Sequence, residues 1–203
     1  MTDTKITIDS IIDKPDDALY AFRHTCEQVI AKSTGFHPML TFYAASDEPA
    51  ITVVVDSSGT TFQHTLARLA EALYLYAPLK AHAVLIAINS DINDEDGKYI
   101  HSSLNVFTLS DLSAFVTSMP YTVTSTNQVT WLNDQFTTEN ILDKNFDGLS
   151  KEMVNLFYML THIDGSPYTV QELLSYLSYV GAAIQIHNDM NISFYDMTPQ
   201  KNG

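Results

Sequence analysis

Six consecutive apolar residues, Ala83 to Ile88, constrain the fold of this chain more than any other feature. A short continuous run of this kind reads as a buried strand. The segment before it, Thr60 to Ala77, reads as an amphipathic helix. Phe62, Leu66, Leu69, Leu73 and Tyr76 share one face, Ser58 or Thr60 caps its start, and Pro78 ends it. Earlier still, Met39–Ala44 and Ala50–Val55 are β-branched or aromatic and flank Ser46-Asp47-Glu48-Pro49, a turn composition. They read as a hairpin. Its second strand, the helix and Ala83–Ile88 together suggest a right-handed β-α-β crossover.

The same reading extends along the chain. Residues 1–15 form a lead-in with a short strand over Ile6–Ile12. Asp16-Asp17 open a helix to Ser33, with Leu19, Phe22, Cys26, Val29 and Ile30 on its apolar face. Ser90–Gly97 reads as an acidic loop. His101–Leu109, Ala114–Val123 and Gln128–Leu132 read as a β-meander, although Ser110–Ser118 also fits a helical period. Asn133–Gly148 reads as a polar linker. Two helices follow, the first with Leu149, Met153, Leu156, Leu160 and Ile163 on one stripe. The second carries Val170, Leu173, Leu174, Leu177, Val180 and Ile184, and Thr169 with Glu172 forms a capping-box pattern at its start. The expected class is α+β: a mostly antiparallel sheet of hairpin, β-α-β and meander packed with two helices, plus a C-terminal αα-hairpin. The expected division is an α+β domain over 1–132, a linker over 133–148, and a helical hairpin and tail over 149–203.

Charge restricts the partners. Lys and Arg total 10 against 24 Asp and Glu, a formal net charge of −14. Charged residues are only 17% of the chain, below the roughly 25% usual for soluble domains, so the imbalance is a shortage of bases. Such a chain has little with which to neutralise phosphates, which argues against nucleic acid and anionic membranes as partners. Its apolar stretches, Ala81–Ile88 and Val180–Ile186, fall short of the roughly 18 residues that cross a bilayer. Met1–Lys5 lacks the features of a signal peptide. The only cysteine, Cys26, excludes an intrachain disulfide, and the expected location is cytoplasmic.

Few residues carry chemical signals. Asp56-Ser57-Ser58-Gly59-Thr60 joins a strand to a helix. Asp56 is the candidate catalytic residue, and Ser57, Ser58, Gly59 and Thr60 are candidate phosphate ligands through helix-start amides. The alternative is an ordinary strand-to-helix turn. The segment resembles the first motif of haloacid-dehalogenase phosphatases, with Ser58 where that pattern places its second Asp. Asp143, Asn145, Asp147 and Gly148 match the opening half of an EF-hand loop. Val154 then stands where a bidentate Glu is required, so the expectation is no metal and no cofactor. The seven histidines form no local metal motif, and Cys26 on an apolar helix face reads as an inert core thiol. Met153–Leu177 resembles the opening helices of a winged-helix domain, but Ser178–His187 contains no base to read DNA.

Tyr158, Tyr168, Tyr176, Tyr179 and Tyr195 cluster in or beside the C-terminal helices. Tyrosines suit contact surfaces, and they also suit packing of the helices onto the sheet. Tyr168, Tyr176 and Tyr179 are the candidate interface. His37-Pro38-Met39-Leu40, Tyr76-Ala77-Pro78, the strand Ala81–Asn89 and the meander resemble poorly characterised bacterial and phage-associated α/β proteins. The resemblance implies a phage or mobile-element association and no particular activity. The helix–hairpin–helix–strand order with an acidic charge is similar to class I secretion chaperones. The expected function is a non-enzymatic protein-interaction or accessory role, with another protein or a second copy as partner. The alternatives are a phosphate-ester enzyme at Asp56 and an acidic chaperone-like protein.

Overall fold

Strand pairing organises the described residues of this α+β chain around one antiparallel sheet of nine strands. The computed structural model describes residues 23, 26, 27, 29–31, 36–44, 49–110, 113–142, 149–162, 167–188 and 191–194. The strands are β1 (Met39–Tyr43), β2 (Pro49–Val54), β3 (Ala83–Asn93), β4 (Tyr99–Ser110), β5 (Ala114–Val123), β6 (Val129–Trp131), β7 (Thr137–Asn140), β8 (Ala183–Asn188) and β9 (Asn191–Phe194). Their spatial order is β6-β5-β4-β3-β1-β2-β8-β9, with β7 also paired to β5. The helices are α1 (Phe62–Leu73), α2 (Tyr76–Leu79), α3 (Leu149–Thr161) and α4 (Val170–Tyr179), and the described residues between 23 and 31 are also helical. No helix among the described residues is long and apolar enough to cross a membrane.

Alternation along the strands builds two cores. Leu40, Phe42, Val53, Val84, Ile86, Phe107 and Leu109 face α1, α2, α3 and α4 on what we call the helical face. Met39, Tyr43, Leu85, Leu104, Val106, Met119 and Tyr121 form the opposite face with Cys26 and Ile30. Ala83–Ile88 supplies residues to both cores, which explains its unbroken apolarity. Trp131 closes the second core. Its ring lies 5.2 Å from that of Tyr121 and beneath the Arg23 guanidinium, and its Nε1–H donates to Glu27.

The hairpin and the meander form as expected, and the helical alternative for Ser110–Ser118 yields to β5. Other expectations need correction. β2 and β3 both run antiparallel to β1, which lies between them, so the crossover joins parallel strands that do not touch. Pro78 does not stop the helix. α1 ends at Leu73 through tight bonds from the Tyr74 and Leu75 amides, and Pro78 sits inside α2, in a first turn where a missing N–H is harmless. Ser90–Asn93 is strand, because Ser90 and Asp91 pair with Ser103 and Ser102; the turn itself is Asp94–Lys98.

The C-terminal third is woven into the sheet. The expected linker contains β7, paired with Phe115–Ser118. The second helix stops at Tyr179, the backbone turns at Gly181 with φ +92°, and Ile184 enters β8 beside Val53 of β2. α3 and α4 both pack on α1, and their Phe157, Leu160, Leu173 and Leu177 join the core of the sheet. The expected lead-in over 1–15 and the EF-hand-like positions Asp143, Asn145 and Asp147 lie outside the described residues.

The capping box is present. Thr169 Oγ1 accepts from the Glu172 amide at 3.2 Å, and Glu172 Oε2 accepts from the Thr169 amide at 2.8 Å. Thr169→Ala should cost about 0.5–2 kcal/mol in chemical denaturation. Thr169 holds the Glu172 carboxyl below the usual range, chiefly through its backbone amide. This contribution is therefore complete above the ordinary Glu pKa and disappears as pH falls through the lowered folded value. The loss from Glu172→Ala, which removes the titrating carboxylate, should shrink in acid; an unchanged loss there would contradict the carboxylate half of the capping box.

Candidate functional site

The Asp56 loop is a clasp on the start of α1. Asp56 Oδ1 accepts from the Ser58 amide at 2.8 Å, forming an Asx turn. The Ser57 carbonyl accepts from the Thr60 hydroxyl at 3.1 Å, and Gly59 takes φ +66°. The cap is Thr61, whose Oγ1 accepts from the His64 amide, and not Ser58 or Thr60 as the sequence suggested. The Ser58 amide, then its side chain, holds the Asp56 carboxyl below its ordinary range, with a smaller contribution from His37.

His37 brings a Ser, a His and an Asp together without building a relay. Its Nδ1 lies 3.3 Å from Ser57 Oγ and 3.7 Å from Asp56 Oδ1. The Ser57 amide also points at Nδ1, which makes that nitrogen an acceptor. One ring nitrogen thus faces both side chains. An imidazole relay needs the hydroxyl on one nitrogen and the carboxylate on the other. The side chains of Ser57, Ser58 and Thr60 are likewise engaged or turned to solvent within the loop.

A groove lies where helix cover ends on the helical face. Strand register sets two rows of side chains across β3, β4, β5 and β7. One row is Ile88, Asn105, Ser118 and Thr137; the next is Ile86, Phe107, Val116 and Glu139. These residues, except Ile86, line a concavity of about 380 Å³, and Phe62, the first residue of α1, with Asn89 and Ser90 completes the lining. Phe62 is 57% exposed despite its size. The Asp56 clasp adjoins the helix start that carries Phe62.

Hydrogen bonds link the polar side of the groove into a ladder. Ser118 Oγ donates to Asn105 Oδ1 at 2.7 Å, and Asn105 Nδ2 donates to Ser90 Oγ at 3.0 Å. Sequence reasoning missed this site, although a signal was present. Along β3 and β4, the positions that share the helical face change from Ile86, Ile88, Leu109 and Phe107 to Ser90, Asn105 and Ser103. That change marks where the covering helices stop.

The tyrosines divide. Tyr168 is 54% exposed, Tyr176 44% and Tyr179 89%, while Tyr158 is half-buried and Tyr195 lies outside the described residues. Met159, 66% exposed, lies on the outer side of α3. Tyr176 hydrogen-bonds Arg68, which is ion-paired with Glu71 at 2.8 Å. Cys26 is fully buried in the second core, where burial pushes its thiol pKa up. Among the described residues no cluster of His, Cys, Asp and Glu has the makings of a metal site. No protein-family model, curated protein or solved structure matches the chain.

Proposed function

We propose that the chain is a non-enzymatic accessory protein that binds another protein through the outer faces of a C-terminal αα-hairpin made by α3 and α4. The observation that supports this reading most is the exposure of Tyr179, at 89%, on a helix whose inner stripe already fills the core. Tyr176 of α4, Tyr168 just ahead of its cap and Met159 of α3 are exposed as well. Tyr and Met are enriched at interface centres, where charge is depleted. The net charge of −14 favours a basic partner. A phosphate-ester enzyme at Asp56 receives no support from a carboxylate that clasps its own loop.

Tyr179→Ser is the cleaner test, because Tyr176 also contacts Arg68. Sedimentation of the full chain measures self-association, and affinity capture compares specific partners between wild type and variant. The expected result is association weakened at least about tenfold, the effect of a hot-spot tyrosine, with an unchanged melting temperature. Identical self-association and identical captured partners in both proteins would overturn the reading. A large loss of stability would instead place Tyr179 in the core.

A further inference from the structure

We infer that the groove between Phe62 and the Ser90–Asn105–Ser118 ladder is a binding site for a neutral saccharide, of monosaccharide or disaccharide size. The site shares no residue with the helix surface proposed above, so the two stand or fall separately. Its volume of about 380 Å³ lies at the lower end of the roughly 300–1,000 Å³ typical of ligand sites.

The lining selects the chemistry by elimination. It contains no Lys, Arg or His, so nothing there balances a phosphate or a carboxylate. Glu139 is the one ionisable lining residue, and its negative sign disfavours anions further. The Asn105 amide is committed at both ends: its oxygen accepts from Ser118, and its nitrogen donates to Ser90 and to the Ser103 carbonyl. It therefore cannot read a nucleobase edge in the two-bond manner open to a free amide. Asn89, the other lining amide, accepts at Oδ1 from Tyr121 of the opposite core, so its side chain is drawn to the far side of the sheet, and what remains is a row of hydroxyls. Ser90 accepts from Asn105 and keeps its own proton to donate outward. Ser118 spends its proton on Asn105 and keeps lone pairs for a donor, and Thr137 lies next in the same row.

A sugar matches this division. Its hydroxyls donate and accept as the ladder requires. Its C–H-bearing ring face suits the apolar side formed by Phe62, Ile88, Phe107 and Val116. Phe62 is also the one large aromatic of this lining that stands exposed, because the clasped start of α1 holds it over the sheet edge of the groove.

The test is a titration of the full chain, followed by 1H–15N NMR at Ser90, Asn105 and Ser118. The probes are glucose, galactose, mannose, N-acetylglucosamine, maltose, cellobiose and lactose, with glucuronate as the anionic control. The expected result is saturable shifts at these amides with at least one neutral sugar, at a Kd of about millimolar, and none with glucuronate. Phe62→Ala should weaken binding at least about tenfold with an unchanged melting temperature, since the side chain is mostly exposed. Thr137→Val, also on the surface, should weaken it as well. Absence of shifts with every neutral sugar would overturn the inference. So would equal binding of glucuronate, or wild-type affinity in both variants.

Discussion

Phe157→Ala should destabilise the entire chain by about 3–5 kcal/mol, the cost of emptying a large aromatic site in a packed core. Phe157 is buried on α3 and meets Tyr76 of α2 edge-to-face at 5.0 Å. Its loss removes apolar burial and an aromatic pair and leaves a cavity between helices that roof the sheet. For a chain of this size the melting temperature should fall by roughly 6–20 °C. The informative measurement compares circular dichroism with Trp131 fluorescence. Trp131 lies on the opposite face of the sheet, in the second core. If α3 belongs to the same folding unit as the sheet, both signals shift together. A separate early transition in circular dichroism, with the Trp131 transition unmoved, would show that 149–203 folds as its own unit.

Leu104→Ala should cost about 2–5 kcal/mol from the other side of the sheet. Leu104 is fully buried in β4, directly opposite Met119 of β5, among Met39, Leu85, Val106 and Tyr121. Among the described residues this core is the smaller of the two. The cavity should loosen the packing around Trp131, so its emission should shift to longer wavelength in the native state, before unfolding. A loss below about 1 kcal/mol in urea denaturation would mean that the second face is not closed as described, since a well-packed leucine does not cost so little.

These two variants probe the parts of the fold that differ most in how legible they were. On the sheet side, β1 and β2, the meander, Cys26 on a buried helical face and the Thr169–Glu172 cap follow from local signals. Each is a period of two, a period near 3.6, or a side chain that satisfies an amide a few residues away. Where reading failed, two local signals competed. Val180–Ile186 continued the apolar stripe of α4, yet alternation within Ala183–Asn188 also fits a strand. The short apolar run could not separate the two. Gly181 and the open edge of β2 decided for the strand. Asp56 was singled out for its position at a strand end, and position does not reveal that its Oδ1 accepts from the Ser58 amide.

The sequence by itself determined the apolar faces of most strands, the capped start of α4 and which partners the charge disfavours. Those properties depend on neighbours along the chain and on composition. The tertiary structure alone decided that β1 separates β2 from β3, that β7 and β8 extend the sheet, and that α3 and α4 seat on α1. Backbone hydrogen bonds between strands are nearly the same for every residue, so an apolar face specifies burial without naming what buries it. The groove arises from the same cause: Phe62, Asn105, Ser118 and Glu139 are remote in sequence, and only strand register and the end of helix cover bring them together.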